Sequence, residues 1–173
     1  MNALTKLPSF TQADVVSGCC PVFHPEEYDH KVFDFKDIDF ISAASKSFLH
    51  MPLNLGKVMT ETQTAIDESD ASLKQQYLIL SKDTSAFKTS HLFAVSKEVI
   101  NHPVVKLNGE YEARVFDGQY QDVPKFMKVL ETEIQNNHKV IDDQWVFYTT
   151  CPKCAKVYGH NYMVFFTKTS VKL

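Results

Sequence analysis

One strand–helix–strand–strand pattern occurs twice in this chain, and that repetition restricts the fold more than any other feature. "FISAASKSFLHM" reads as a strand, and "PLNLGKVMTETQTAIDESD" follows as a helix. In that helix Leu55, Val58, Met59, Thr62, Ala65 and Ile66 recur at i, i+3, i+4 spacing behind Asn54 as N-cap. "QYLILS" and "SHLFAVSKEV" read as two strands joined by the turn "KDTSAFKT". "LNGEYEARVFDG" is then a strand again. Asp122 caps a second helix with Pro124 in its first turn, where a missing N–H does no harm. Val123, Phe126, Met127, Leu130 and Ile134 make its apolar face, and "QWVFYTT" and "NYMVFFTKT" complete the unit. Phe116 lies 68 positions after Phe48, and at that offset Asn54 meets Asp122, Lys57 meets Lys125, Met59 meets Met127 and Ile66 meets Ile134. Further on, Tyr77 meets Trp145 and Ile79 meets Phe147. Periodicity alone makes two such units match in part; the shared cap, Lys and Met argue for duplication.

Each helix has one apolar stripe to bury, so the duplication predicts an α+β fold. It has one largely antiparallel curved sheet with both helices on one face. The other face is then open unless it curves into a groove, and a groove is where a ligand would sit. Pro8, Pro21 and Pro25 break up the start of the chain. The expected organisation is an irregular N-terminal segment over 1–35, packed on a single domain over 36–173. Repeat one covers about 40–100 and repeat two about 104–170.

At 173 residues the chain suits one domain with a sizeable core. Thirteen Phe and seven Tyr against five Gly point to strands and an aromatic interior. The net charge is −3 and no basic stripe occurs, which argues against nucleic acid as a partner. No apolar run reaches ~18 residues and the N-terminus lacks a signal-peptide core, so a soluble cytoplasmic protein with no membrane partner is expected. Its four cysteines are then expected to be free or metal-bound. Monomer and dimer both remain open.

In order and spacing the chain resembles the gyrase-inhibitor-like (GyrI-like) small-molecule-binding family over about residues 36–170. "VFDGQY" stands where that family has a strand entering Gly-Pro-Tyr, with Gly118 and Tyr120 matching and Gln119 replacing Pro. "WVFYTTCP" stands where it has Tyr-Glu-x-Tyr and then Asp-Pro, with Tyr148 and Pro152 matching. The flanking "CCPVF" and "TTCPKCAKVYG" resemble a stand-alone subgroup. The resemblance implies a pocket for an apolar or aromatic, often cationic, small molecule, and in some members hydrolysis of strained toxic molecules. The chain departs from the pattern in lacking a helix-turn-helix ahead of the domain. It also departs in placing Val146 where the family has an acid, which weakens any preference for cations.

Several residues are candidates for that pocket. Val146, Tyr148 and Thr150 alternate on one strand face, and the resemblance puts that face in the groove. Tyr148 would stack on a ligand or donate its hydroxyl. Glu110 and Glu112 share a strand face as a general acid/base pair or as a solvated face. His50 is a candidate base or ligand contact, and Tyr120 a groove edge. Phosphate-loop, Gly-x-Gly-x-x-Gly and Gly-x-Ser-x-Gly motifs are absent, so no nucleotide cofactor is expected.

"CPKC", read as a connector between two strands, is a poor redox pair, because such pairs open a helix. It suits half of a zinc site or a plain turn. Zinc needs four ligands, and Cys151 and Cys154 could draw on Cys19 and Cys20. Adjacent cysteines seldom both ligate one ion, so His24 or His160 is an alternative fourth ligand. Such a site would clip the N-terminal segment to the second repeat. Three functions follow. The first is a stand-alone domain binding a small apolar or aromatic ligand. The second is a hydrolase using Tyr148 and an acid such as Glu112, favoured if an acid and a Tyr converge. The third is a protein-interaction module.

Overall fold

The computed structural model describes residues 3–49 and 51–172. The first repeat supplies β2 (Asp39–Phe48), β3 (Met51–Pro52), α1 (Leu55–Glu68), β4 (Ile79–Ser85) and β5 (Lys88–Val95). The second supplies β7 (Glu110–Asp117), α2 (Val123–Asn136), β8 (Lys139–Tyr148), α3 (Pro152–Tyr158) and β9 (Tyr162–Val171). Two short strands, β1 (Val32–Asp34) and β6 (Val104–Val105), pair with β7 and β2. The pairings between these strands are antiparallel, Leu4 adds a single parallel bridge to Phe33, and the order is β1-β7-β9-β8-β4-β5-β2-β3 with β6 beside β2. Each repeat therefore lays down its first, third and second strand in that order. The two halves mirror each other and meet at β4 and β8 through Leu80–Phe147 and Ser81–Val146.

Both helices cover the same face. α1 and α2 are each 14 residues long, and their start points keep the offset seen in the sequence. Ile66 of α1 packs with Ile41, Phe93 and Val95, and Leu130 of α2 packs with Val146, Met163 and Phe165. Beyond the helices the offset slips. Ile79 packs on the helix side, whereas Phe147 lies in the core on the opposite face, so Leu80 and not Ile79 is the counterpart of Phe147. One residue of slip exchanges the two faces of a strand.

Three local expectations change. Asn54 and Asp122 do occupy the N-cap positions, but neither side chain caps its helix. Asn54 Oδ1 instead accepts from the Lys46 N–H, and Asp122 accepts from Gln119 N–H and closes the 3-10 turn Tyr120–Asp122. The hairpin expected to turn over "KDTSAFKT" turns only at Ala86 and Phe87, because β4 continues to Ser85 and β5 begins at Lys88. β8 begins at Lys139, before the expected "QWVFYTT", and takes up a bulge between Ile141 and Asp143.

The face opposite the helices is not an open groove. Leu7, Tyr28, Phe33 and Phe35 of the N-terminal segment fill it and pack with Phe40, Leu80, Trp145, Phe147 and Phe166. Phe33 and Phe35 meet Phe166 edge-on at 5.3 and 5.2 Å between ring centroids. Burying each such ring is worth roughly 1.5–3 kcal/mol and each edge-to-face pair about 0.5–1.5 kcal/mol more. β1 also extends the sheet beside β7. Against this face remains a cavity of about 40 Å³, bordered by Phe23, Tyr28, Tyr77 and Phe147. Sites for small organic molecules are roughly 300–1,000 Å³.

Candidate functional site

On the helix side the two apolar clusters do not merge, and a polar track runs along β4, β5 and β2 close to where the repeats join. Side chains alternate, so Ser81 and Asp83 of β4 share a face with Thr89 and His91 of β5 and with Ser45 and Ser47 of β2. The Ser45 hydroxyl stands 2.8 Å from His91 Nε2 and the Ser81 hydroxyl 2.9 Å from Nδ1. One serine donates to the unprotonated ring nitrogen and the other accepts from the protonated one. His91 is 2% exposed, and burial pulls its pKa down to about 4, against a weak opposing pull from Asp83. The imidazole is neutral at pH 7. Alongside, Asp83 Oδ1 accepts from Thr89 Oγ1 at 2.6 Å, and Thr89 Oγ1 lies 3.0 Å from Ser47 Oγ.

Two tyrosines border this track. Tyr148 ends β8 and its ring centroid lies 5.7 Å from that of Tyr120. Burial raises both phenol pKa values. After burial, Tyr120 and then the Asp83 charge raise Tyr148 further, and the Asp83 charge raises Tyr120. Both hydroxyls therefore stay protonated as donors. The Asp83 charge acts on Tyr120, Tyr148 and His91 alike, although the pairing of Ser81 with Val146 sets Asp83 further along the sheet than Tyr148. Gly118 allows this corner to close: a Cβ there would stand 2.7 Å from Phe126 Cζ, so a larger residue would hold the start of α2 off the strand.

Of the residues expected from sequence, Tyr148 and Tyr120 come together. Val146 shares their side of the sheet but is 4% exposed in the core beneath α2. Glu110 and Glu112 are exposed on β7. Glu112 faces Thr167, which faces Gln144, whereas Phe116 faces Met163, which faces Tyr148; Glu112 and Tyr148 sit at different levels of the sheet and are not brought together. His50 lies outside the described residues. Asp83, His91, Ser45 and Ser81 were missed. Asp83 was assigned to a turn, and the alternation Ser81/Asp83 and Thr89/His91 emerges only once both arms of the hairpin are extended.

The cysteines form a second cluster. "CPKC" does not lie in a plain connector: Cys151 is the N-cap of α3, Pro152 its first residue, and Gly159 ends it at φ 75°. Proline at the first position and glycine just past the last make this helix. The premise that set redox chemistry aside therefore fails, yet a simple dithiol does not result either. Cys19 and Cys20 close on the same point, and the four sulfur atoms lie within 4.8 Å of one another. The adjacent pair does converge, with Sγ atoms 3.8 Å apart, while Cys151 and Cys154 Sγ are 3.4 Å apart. His24 and His160 are engaged elsewhere, with Asp14 and Glu26 and with Asp117. The four cysteines could hold a metal ion.

A sequence model of a family described as bacterial hydrolases matches residues 10–169. The chain belongs to that family. No curated protein and no solved structure matches it. Membership in a hydrolase family directs attention to groups that activate water and stabilise an oxyanion. Four protein thiolates would complete a tetrahedral metal shell and leave no position for water, so the cysteine cluster lacks the open site that metal-assisted hydrolysis needs. Near the junction of the repeats the chain holds one carboxylate, Asp83, whose charge reaches two paired phenols, Tyr120 and Tyr148. Among the described residues no helix is long and apolar enough to cross a membrane.

Proposed function

We propose that this member of the hydrolase family cleaves a small activated or strained molecule at the seam between the two repeats. Asp83 takes the proton of an attacking water, and Tyr148 and Tyr120 donate hydrogen bonds to the oxygen on which charge develops. His91, neutral and held between two serines, orients the hydroxyl track behind them. The observation that carries this reading is the Tyr120–Tyr148 ring pair, 5.7 Å between centroids, which lies within reach of the Asp83 charge. Tyr120 is 40% exposed, so the seam is reachable from solvent. The duplicated order of strands and helices agrees with the arrangement that the sequence resemblance to the GyrI-like family implies.

The test is hydrolysis of a panel of small activated esters and strained rings by the full chain. Asp83→Asn and Tyr148→Phe should each lower kcat by roughly 10²-fold while far-ultraviolet circular dichroism stays unchanged. Full activity in both folded variants would remove the seam as the site. The same Tyr120–Tyr148 ring pair favours a second reading, binding of an aromatic ligand without turnover. Under that reading, Tyr148→Ala weakens binding and no variant alters a reaction rate.

A further inference from the structure

The four cysteines come from two places far apart in sequence. Cys19 and Cys20 sit in the irregular N-terminal segment, and Cys151 and Cys154 bracket the first turn of α3. Cys19 is exposed, Cys20 and Cys151 are half-buried, and Cys154 has no exposure. Sulfur ligands at ~2.3 Å from a tetrahedral ion stand about 3.8 Å from one another. The Cys19–Cys20 separation of 3.8 Å equals that value, the Cys151–Cys154 separation of 3.4 Å is shorter, and all pairs lie within 4.8 Å.

Hydrogen bonds outside the cluster hold its two halves in register. The Cys151 N–H donates to Cys20 Sγ at 3.5 Å, an interaction that stabilises a thiolate. The Tyr158 hydroxyl donates to the Cys20 carbonyl at 2.5 Å and accepts from the Ser17 N–H at 3.1 Å. The Ser17 hydroxyl also donates to the Cys20 carbonyl, at 3.1 Å. The Tyr158 and Ser17 contacts thus fix the loop without any thiol, and the four sulfurs still lie within 4.8 Å of one another. Two disulfides would draw the sulfurs into separate pairs at ~2.05 Å and leave the common centre without a purpose.

We propose that Cys19, Cys20, Cys151 and Cys154 bind one Zn²⁺ ion as a closed tetrathiolate centre that ties the N-terminal segment to the second repeat. Four thiol protons leave to solvent as the ion binds, giving a centre of net charge −2, and Lys153 and Lys156 lie on the same short helix. The consequence is architectural. The segment bearing Cys19 and Cys20 continues into Phe23, Tyr28, Phe33 and Phe35, which fill the face opposite the helices. The ion fixes that segment from one end while β1 fixes it from the other. The seam around Asp83 has no part in this inference.

The test uses the full reduced chain, titrated with Zn²⁺ and weighed by native mass spectrometry. One ion per chain is expected. Cobalt in its place should give the intense visible d–d bands and sulfur-to-metal charge transfer of a tetrahedral thiolate site. Cys154→Ser, or the milder Cys19→Ser at the surface, should weaken the metal by more than the roughly 10–100-fold that an outer hydrogen bond is worth. Chelation should speed protease cleavage within residues 5–24 by roughly tenfold. A reduced chain that takes up no zinc, a mass showing two disulfides under reducing conditions, or an iron-loaded chain overturns the zinc assignment. Zinc bound with unchanged protease cleavage on chelation overturns the tie alone.

Discussion

Acid should destabilise this protein through one histidine. His91 has an unfolded-state pKa near ~6.5 and a folded-state pKa of about 4. At ~1.4 kcal/mol per decade, protonating it in the folded protein costs about 3 kcal/mol more than in the unfolded chain. The side chain is 2% exposed, so solvent does little to screen this penalty. The lowered value means that the unfolded state binds the proton first. The stabilising contribution is therefore complete above about pH 6.5, falls as the pH drops toward 4 and has no further slope below that. By pH 5 the loss is about 2 kcal/mol, a large share of a typical stability of roughly 5–15 kcal/mol. Urea unfolding of the wild-type chain and of His91→Gln, followed from about pH 7.5 to about pH 4.5, measures it. The variant should start about 1–3 kcal/mol less stable, because Ser45 and Ser81 lose a well-placed partner, and the gap should close by about 2 kcal/mol on acidification. Any acid effect at the cysteine cluster is common to both proteins and cancels in the difference. A gap that stays constant across the range would refute the account of His91 as a buried, neutral imidazole.

Other substitutions separate the remaining assignments. Glu112→Gln should leave hydrolysis within about twofold of wild type, since the carboxylate is not brought to Tyr148, whereas Asp83→Asn should abolish most of it. Asp143→Asn should lower the stability measured by urea unfolding by about 1–3 kcal/mol, because the carboxylate accepts from Lys82 Nζ, Tyr111 Oη and Trp145 Nε1. Burial alone would raise the Asp143 pKa, but those donors outweigh it and lower it, so its stabilising share is present above about pH 3.9 and fades as the pH falls through the depressed value. Gly118→Ala should cost about 1–3 kcal/mol in thermal unfolding, since the new methyl meets the Phe126 ring.

The parts of the fold visible in sequence were those with a period. The stripes of α1 and α2 and the equal spacing of the two repeats could be read because 3.6-residue periodicity survives wherever a helix covers a sheet. Register within the strands could not. Ile79 and Leu80 are both apolar and lie on opposite faces, so composition cannot say which one answers to Phe147. The caps were legible by position and not by bonding, because Asn54 and Asp122 each found a nearer partner. α3 was missed although "CPKCAKVYG" carries Pro at its first position and Gly after its last. Its seven residues are too few to show a period. The metal candidates were legible because cysteines are few, but their convergence depends on how the N-terminal segment folds back, which no local pattern records.

The placement of chemistry on the helix side follows from how this chain uses its aromatic residues. A groove between repeats needs one sheet face left empty. Here Phe33, Phe35 and Tyr28 close that face. The helix side is covered by two separate apolar patches, one under each helix, and from Ser81 at the junction across β5 to β2 the chain also keeps His91, Ser45 and Ser47 buried. Burying such groups is costly unless each is hydrogen-bonded, and apolar residues of the same size would fill the gap more cheaply. The bonds from His91 to both serines and from Thr89 to Ser47 and Asp83 satisfy the track without removing that cost. A buried polar track that starts at the junction of the repeats and carries a carboxylate whose charge reaches two paired phenols is better explained by what it does to a substrate than by what it adds to stability.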